Sequence, residues 1–457
     1  MSGRRALVVL FVLTLPLISP RLRGADEIEY FSYLRSFVLD GDLDFENEYR
    51  YFYERDPQGL ASFKATFLDR REALTGRPIN FAPLGTALLW SPPYLLVHGG
   101  LLAAHGLGAD VAADGFSAPY AVSVSVASAL YAFVGLLLIH DGLRRWAGTP
   151  EPAATWTVAT LWLGTPLLYY VSVAPGFSHA CSLFAVSLLL WLWLNGREGG
   201  VANWALLGAA GGLAGLVREQ DVLFLAAPGL DLLWRTRARR DWTGGAARAA
   251  AMGVTALLVF VPQLWAYRAI NGTYGPSRLV ARKMTYTSPH FFEVLLDPGH
   301  GLFVWCPLLL LATAGLWLAW KQRSTDGAPA TRGPLLLLAT CLLLQVWING
   351  SLESWSQAGA FGSRRFISAT PVFAWGLAAL VTRVLGRIRP ALVAAGLALG
   401  VWWNVSLMVQ FGLRLMDRQR LEWPRVAVNQ VTEVPANLGR TLWLYATDRE
   451  RLVRESR

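Results

Sequence analysis

Apolar runs nearly as long as a lipid bilayer is thick, and almost free of charge, recur from one end of the chain to the other. They lie near 6–20, 118–140, 153–171, 179–195, 202–217, 221–234, 248–268, 302–320, 333–349, 366–384 and 391–411. A membrane-spanning helix needs about 20 such residues, and in hydrocarbon the backbone must bond to itself, which leaves helices or closed barrels. The runs therefore predict an all-α integral membrane protein with about eleven transmembrane helices, several of them short. Composition excludes a soluble domain, with 54% hydrophobic residues, 16% charged and a mean hydropathy of +0.37. The 20 Trp suit the boundary between headgroups and hydrocarbon.

The net charge of +10 does not point to nucleic acid, because the basic residues sit in short clusters between apolar runs. Those clusters are Arg144-Arg145, Arg235 to Arg240, Lys321/Arg323/Arg332 and Arg383/Arg387/Arg389. They orient the chain, and they decide the status of one further apolar stretch, Leu84 to His105, interrupted by Ser91-Pro92-Pro93. If that stretch does not span, the N-terminus and every cluster fall on one side and the positive-inside rule holds; if it spans, the rule fails from there on. Leu84 to His105 is thus expected to be an interfacial or re-entrant helix. Arg4-Arg5 and the run behind them resemble a signal peptide, but Ser19 to Arg23 offers no small-x-small cleavage site, so the run is expected to remain as the first helix. The expected division is a multi-pass domain over 1–411, with a first outer loop at 21–117, and an outer tail over 412–457.

This orientation places 21–82, 269–301, 350–365 and the tail on the outer, extracytoplasmic face of the plasma (inner) membrane. Chemistry is expected there. In Gly24 to Tyr30 the acids Asp26, Glu27 and Glu29 open a polar stretch just after the first apolar run. Acids favour the first turn of a helix, so by themselves they read as a helix start. On a helix they splay around the axis, and at most two can face one site. Ile28 to Leu39 has the apolar spacing of an amphipathic helix lying on the membrane. The run Asp40 to Glu48 is acidic enough to attract a divalent cation, yet lacks the spacing of a calcium loop. The three cysteines, Cys181, Cys306 and Cys341, lie in or beside apolar runs without metal-ligand spacing, and no metal site is expected.

A separate set of basic residues falls on the same outer face: Arg218, Arg282, Lys283, Arg364 and Arg365. Lipid headgroups or salt bridges account for any one of them, but together with the acids they suit a phosphate, which guanidinium binds bidentately. Tyr30, His179 and Glu353 are candidate substrate contacts. No P-loop, dinucleotide fingerprint or Gly-x-Ser-x-Gly elbow is present, which argues against an ATPase, a redox enzyme and an α/β-hydrolase.

A first helix, an outer loop opening on Asp26-Glu27, and Phe81-Ala82-Pro83-Leu84-Gly85 leading into an interfacial helix resemble the GT-C superfamily of polyprenyl-phosphate-dependent glycosyltransferases. Protein O-mannosyltransferases and aminoarabinose transferases are the nearest likenesses. The resemblance implies a GT-C-like bundle in which Asp26 acts as base on the acceptor and Arg218, Arg364 or Arg365 hold the donor phosphate. It implies Glu27 as an auxiliary that orients Asp26 or contacts the sugar. The expected partners are a polyprenyl-phosphate-linked sugar donor, a lipid, glycan or protein acceptor, and membrane lipids, with hexosyl or pentosyl transfer as the reaction. Ala82-Pro83 stands where two prolines are usual and the preceding His or Lys is missing, which leaves the sugar open. A transporter or lipid flippase would place ionisable residues inside its spans, and a polysaccharide polymerase or ligase would share the basic face without needing Asp26.

Overall fold

The computed structural model describes residues 2–321, 332–357 and 359–455; Arg323, one of the predicted orienting residues, lies outside them. Among the described residues there is no strand, only two isolated bridges, Arg71 to Pro78 and Met284 to Leu352. Helix α1 (Gly3–Thr14) gives way to a 3-10 turn at Leu15–Leu17, where Pro16 cannot donate to a continuing ladder. Helices α2 (Ala25–Arg35) and α3 (Glu46–Arg55) lie in the first polar stretch. They are followed by α4 (Gly85–Gly106), α5 (Ala118–Arg145), α6 (Glu151–Leu163), α7 (His179–Gly196), α8 (Val201–Val217), α9 (Ala226–Arg239) and α10 (Trp242–Asn271). The second half carries α11 (Pro307–Lys321), α12 (Arg332–Gly350), α13 (Thr370–Leu385), α14 (Pro390–Gly412) and two tail helices, α15 (Trp423–Val431) and α16 (Glu433–Thr447).

Among the described residues, seven helical stretches are long and apolar enough to cross a membrane: α4, α5, α7, α10, residues 333–350 of α12, 364–385 including α13, and α14. Helices α8 and α11 are apolar but shorter. Six of the seven match expected runs and the seventh is α4; the other five expected runs form α1, α6, α8, α9 and α11, which have only 12, 13, 17, 14 and 15 residues. Close backbone contact holds the bundle together where glycines face each other. A Cβ on Gly376 would lie 1.9 Å from Ala312 O, so α11 and α13 meet through bare backbone, as small-residue membrane interfaces do.

The helices share two ends. At one, Asp141 of α5 accepts from Trp191 (2.9 Å) and pairs with Arg145 (2.7 Å) and Arg4, while Asp231 holds Arg197 (2.7 Å) and Arg235 (3.1 Å). Of the predicted basic clusters, Arg145 and the pair Arg235 and Arg239 take part in the ion pairs here. At the opposite end lie the start of α2, the start of α7, the end of α8 and the loop before α13.

Helix α4 departs from expectation in continuity. It runs unbroken through Pro92 and Pro93, because the two carbonyls that lose their ladder partners find others: Leu88 O accepts from the Ser91 hydroxyl (2.7 Å) and Leu89 O from the Tyr131 hydroxyl (2.9 Å). Its first residue packs on Leu216 and Val217 at the end of α8. From there it runs beside α2, through Tyr94 against Phe31, and along the N-terminal half of α5, through Trp90 to Ser128 (2.8 Å) and His98 to Tyr120 (2.6 Å). Helix α4 therefore rises from the end that holds Arg218 and does not run down to the end that holds Arg144.

Helix α2 corrects a second expectation. It does not lie on a surface with one apolar face: every residue from Glu27 to Leu34 is buried. Aromatic contacts enclose it, Phe31 against Tyr94, Phe52 and Phe116 and Tyr30 against Trp90. The apolar spacing in Ile28 to Leu39 reflected burial on one side, and α4 covers the remainder.

Candidate active site

The first turn of α2 sorts its three acids by direction. Glu27 turns inward, where one carboxylate oxygen accepts from the backbone N–H of Arg23 (2.8 Å) and Gly24 (2.7 Å), two of the groups a helix start leaves unpaired. Its other oxygen faces Gly176 without a hydrogen-bond partner. Burial, opposed by those amides and aided by the nearby Asp26 charge, pushes the Glu27 carboxyl up to about 7. Glu29 is also buried and accepts from Phe81 N at 2.5 Å, while Asn80 Nδ2 donates to Glu29 O at 3.1 Å. Burial and the Asp26 charge raise the Glu29 carboxyl well above the usual range. The segment leading into α4 is thus fastened to α2 by an acid that never meets the surface.

Asp26 points the other way. Its carboxylate, 39% exposed, pairs with Arg364 Nη2 at 3.1 Å. The Arg364 guanidinium also lies 4.8 Å from the Phe177 ring centroid and hydrogen-bonds Tyr170. The Tyr170 hydroxyl in turn accepts from Phe361 N at 3.1 Å, which pins the loop before Arg364. Beside this pair, Ser178 Oγ accepts from both Tyr30 Oη (2.9 Å) and Arg218 Nη1 (3.0 Å). Arg218 Nη1 also approaches His179 Nδ1 at 3.4 Å. Since a guanidinium only donates, Nδ1 accepts and the imidazole proton sits on Nε2. That N–H and Arg218 Nε are both buried without an acceptor.

Arg365 completes the cluster, close enough to Arg364 and Arg218 for their charges to repel. Its guanidinium is braced by Ser354 O (3.1 Å) and Ser354 Oγ (3.2 Å). Gln220 ties the parts together, accepting from Arg218 Nη2 at 3.5 Å and donating to Arg365 O at 3.2 Å, with Gln345 Nε2 donating back to Gln220 O at 3.0 Å. The charges do not balance. Asp26 meets Arg364, Asp221 lies near Arg218 while accepting from Ser182 (2.5 Å), and among the described residues no carboxylate forms an ion pair with Arg365, which feels only the Asp26 charge beside the two other arginines. Two buried donors without an acceptor, beside three guanidinium groups, have the chemistry that suits an anion.

Five predicted residues, Asp26, Tyr30, His179, Arg218 and Arg364, share this site, and Arg365 borders it. Glu27 supports it from behind and reaches no open surface. Arg282, Lys283 and Glu353 are all exposed, on two loops joined by Glu353 N donating to Lys283 O at 2.9 Å, and Ser354, next to Glu353, is the residue that braces Arg365. Tyr170, Ser178, Gln220 and Gln345 are site residues that the sequence did not single out as such, because neutral polar groups inside apolar runs carry no pattern. The acidic run 40–48 lines a surface cavity of about 530 Å³. Its carboxylates are engaged locally, Asp40 by Arg35 and Asn47, Asp42 by Ser36 and Glu46 by Arg50 and Arg71. Among the described residues no grouping of three or more His, Cys, Asp or Glu could hold a metal ion.

The sequence matches no known family profile and no curated protein. The structure matches a crystal structure of ArnT from Cupriavidus metallidurans bound to undecaprenyl phosphate, with a TM-score of 0.50 and 19% identity, over 99% of this chain and 76% of that one. The chain has a GT-C-type fold. Within a GT-C-type bundle the site just described lies at the helix ends away from the basic clusters, beneath α2 and the start of α4.

Proposed function

We propose that this chain is a membrane glycosyltransferase that moves a hexosyl or pentosyl group from a polyprenyl-phosphate donor to a hydroxyl or amine of a lipid, glycan or protein acceptor. The Asp26–Arg364 pair carries the reading: a carboxylate able to take a proton stands 3.1 Å from a guanidinium able to take a phosphate. The fold supports it, being shared with a protein bound to undecaprenyl phosphate. So does the placement of basic residues such as Arg144, Arg145 and Arg235 at the opposite end, which under the positive-inside rule favours a site on the extracytoplasmic face of the inner membrane. The prenyl chain can then stay in hydrocarbon while its head enters the site.

In the reaction the acceptor oxygen or nitrogen attacks the anomeric carbon, the bond from that carbon to the phosphate oxygen breaks, and polyprenyl phosphate leaves. Asp26 receives the acceptor proton. Base catalysis of this kind supplies about 10²–10⁴ in rate. Arg364, Arg218 and Arg365 meet the charge that grows on the departing phosphate, and removing one such donor costs about 10²–10³ in kcat. In the free protein Asp26 occupies Arg364, so an arriving phosphate displaces the carboxylate and frees it to accept the proton.

Asp26→Asn separates the parts of this scheme. Sugar transfer from a polyprenyl-phosphate donor in detergent is expected to fall by about 10²–10⁴, while polyprenyl phosphate binds more tightly because its competitor for Arg364 is neutral. Transfer at the wild-type rate would eliminate Asp26 as the base. Unchanged phosphate binding in both Arg218→Gln and Arg364→Gln would remove the phosphate role of the cluster.

A further inference from the structure

The two tail helices carry an apolar face that none of the described residues covers. On α15, Pro424, Ala427, Val428 and Val431 recur at helical spacing and are all exposed, Val428 by 57% and Val431 by 75%. On α16, Pro435, Gly439, Leu442 and Ala446 form one exposed stripe, with Trp443 beside it at 68% exposure. The charged residues keep off these faces. Arg425 lies to one side of the α15 face, paired with Glu422 at 3.5 Å, and Arg440 stands to one side of the α16 stripe, paired with Glu455 at 2.7 Å. In water this arrangement would leave a large apolar surface without a partner.

The tail's attachments fix its depth. Trp423 packs on Trp403 of α14 with centroids 4.9 Å apart and the rings tilted by 30°, and Trp403 precedes the end of that helix at Gly412 by nine residues, about 13 Å of helix. The start of α15 therefore lies alongside a candidate span, well below its end. Asn429 Nδ2 holds it there by donating to Gln410 Oε1 (3.2 Å) and Leu415 O (3.0 Å). The other end of the pair is clamped to the turn after α1. Tyr445 Oη donates to Leu17 O at 2.8 Å, and Arg449 donates to Ile18 O and Pro16 O, both at 2.7 Å. Helix α1 shows the same kind of surface just before this clamp, with Val12 and Leu13 exposed by 55% and 70%. The exposed face of the tail thus continues the apolar flank of α1 on one side and borders the flank of α14 on the other.

We infer that α15 and α16 lie in the headgroup and upper acyl layer of the bilayer on the side of the candidate site, as a lipid-facing anchor that joins the turn after α1 to α14. Its partner is the lipid surface itself. An amphipathic helix of this kind buries its apolar face about 5–10 Å into the boundary layer. Trp423 and Trp443 suit that depth, since indole favours the interface. The anchor bears on the site through its linker. Gly359 N donates to Gln419 Oε1 at 3.0 Å and Leu421 N to Pro298 O at 2.9 Å, so the linker grips the loop five residues before Arg364.

Single cysteines at Val428, Leu442 and Arg425 in the full chain, spin-labelled in phosphatidylcholine–phosphatidylglycerol vesicles, test the inference; the native cysteines are all buried. Molecular oxygen, which concentrates in lipid, should reach the labels at 428 and 442 several-fold more readily than a water-soluble nickel chelate, with the order reversed at 425. Chelate access at 428 and 442 equal to that at 425 would place the tail in water and overturn the inference. Protection of 428 and 442 from both reagents would overturn it in a second way, by showing that protein covers the face, as a second copy would. Neither outcome bears on whether Asp26 is a base.

Discussion

The substitution Gly85→Ala puts the placement of Arg218 to a quantitative test. A Cβ at Gly85 would stand 2.4 Å from Leu216 C and 2.5 Å from both Leu216 O and Val217 N. Ordinary contact begins near 3.4 Å, so about 1 Å must be found, and no rotamer can supply it because every obstructing atom is backbone. Overpacking of this kind costs about 1–3 kcal/mol, against the ~1 kcal/mol that alanine gains over glycine within a helix. The net loss of stability is thus at most about 2 kcal/mol. The functional effect is larger. The displaced residues are those immediately before Arg218, and a misplacement of about 1 Å in a positioned group can cost about 10²-fold in rate. Gly99 on the same helix is the control, since a Cβ there meets nothing within 4 Å; Gly99→Ala should be neutral or stabilising by up to about 1 kcal/mol. Thermal unfolding in detergent and the sugar-transfer assay read the two effects separately. If Gly85→Ala matched Gly99→Ala in both, the packing of α4 on the end of α8 would not position Arg218.

Two further outcomes follow from the charge arrangement. Glu27 ionises at about 7 in the folded protein against 4.5 when exposed, so its contribution to stability is complete below 4.5 and is lost as pH rises through about 7. That interval corresponds to about 3 kcal/mol at most, and Glu27→Gln, which keeps an oxygen for Arg23 N and Gly24 N, should flatten the fall in melting temperature between pH 5 and 8; an identical slope in the variant would show that another group titrates. Cysteines placed beside Arg144 and beside Arg364 in sealed vesicles should react with a membrane-impermeant reagent from opposite sides, and same-side labelling would refute the proposed orientation.

Much of the fold could be read from the sequence because hydrocarbon imposes a long-range regularity, an apolar run for each long helix. The errors fell where the solvent rule has local exceptions. Pro92-Pro93 looked like an interruption because its repair depends on Tyr131, 38 residues later than Pro93, and no local pattern reports that hydroxyl. Helix α2 looked amphipathic because the aromatic residues that cover its second face come from α3, α4 and Phe116. At the site, Asp26, Arg218 and Arg364 could be found because a charge at the edge of an apolar run is conspicuous. Tyr170, Ser178 and Gln345 could not, since each is an ordinary neutral residue until the fold sets it beside an arginine. Arg282 and Lys283 were chosen by the same reasoning as Arg218, and the chain turns them outward on a separate loop.

The Asp26–Arg364 pair also imposes an order of assembly. Its members are separated by 338 residues, so at 5–20 residues per second roughly 20–70 s of synthesis divide the appearance of the carboxylate from that of its partner. Glu27 has no such wait, since the amides it caps lie within four residues. The start of α2 can therefore form early on local bonds, holding Asp26 at the membrane edge with nothing opposite it. The candidate site closes only when the loop before α13 arrives, and a nascent chain that stalls before that point carries every acid of the site and only one of its three arginines.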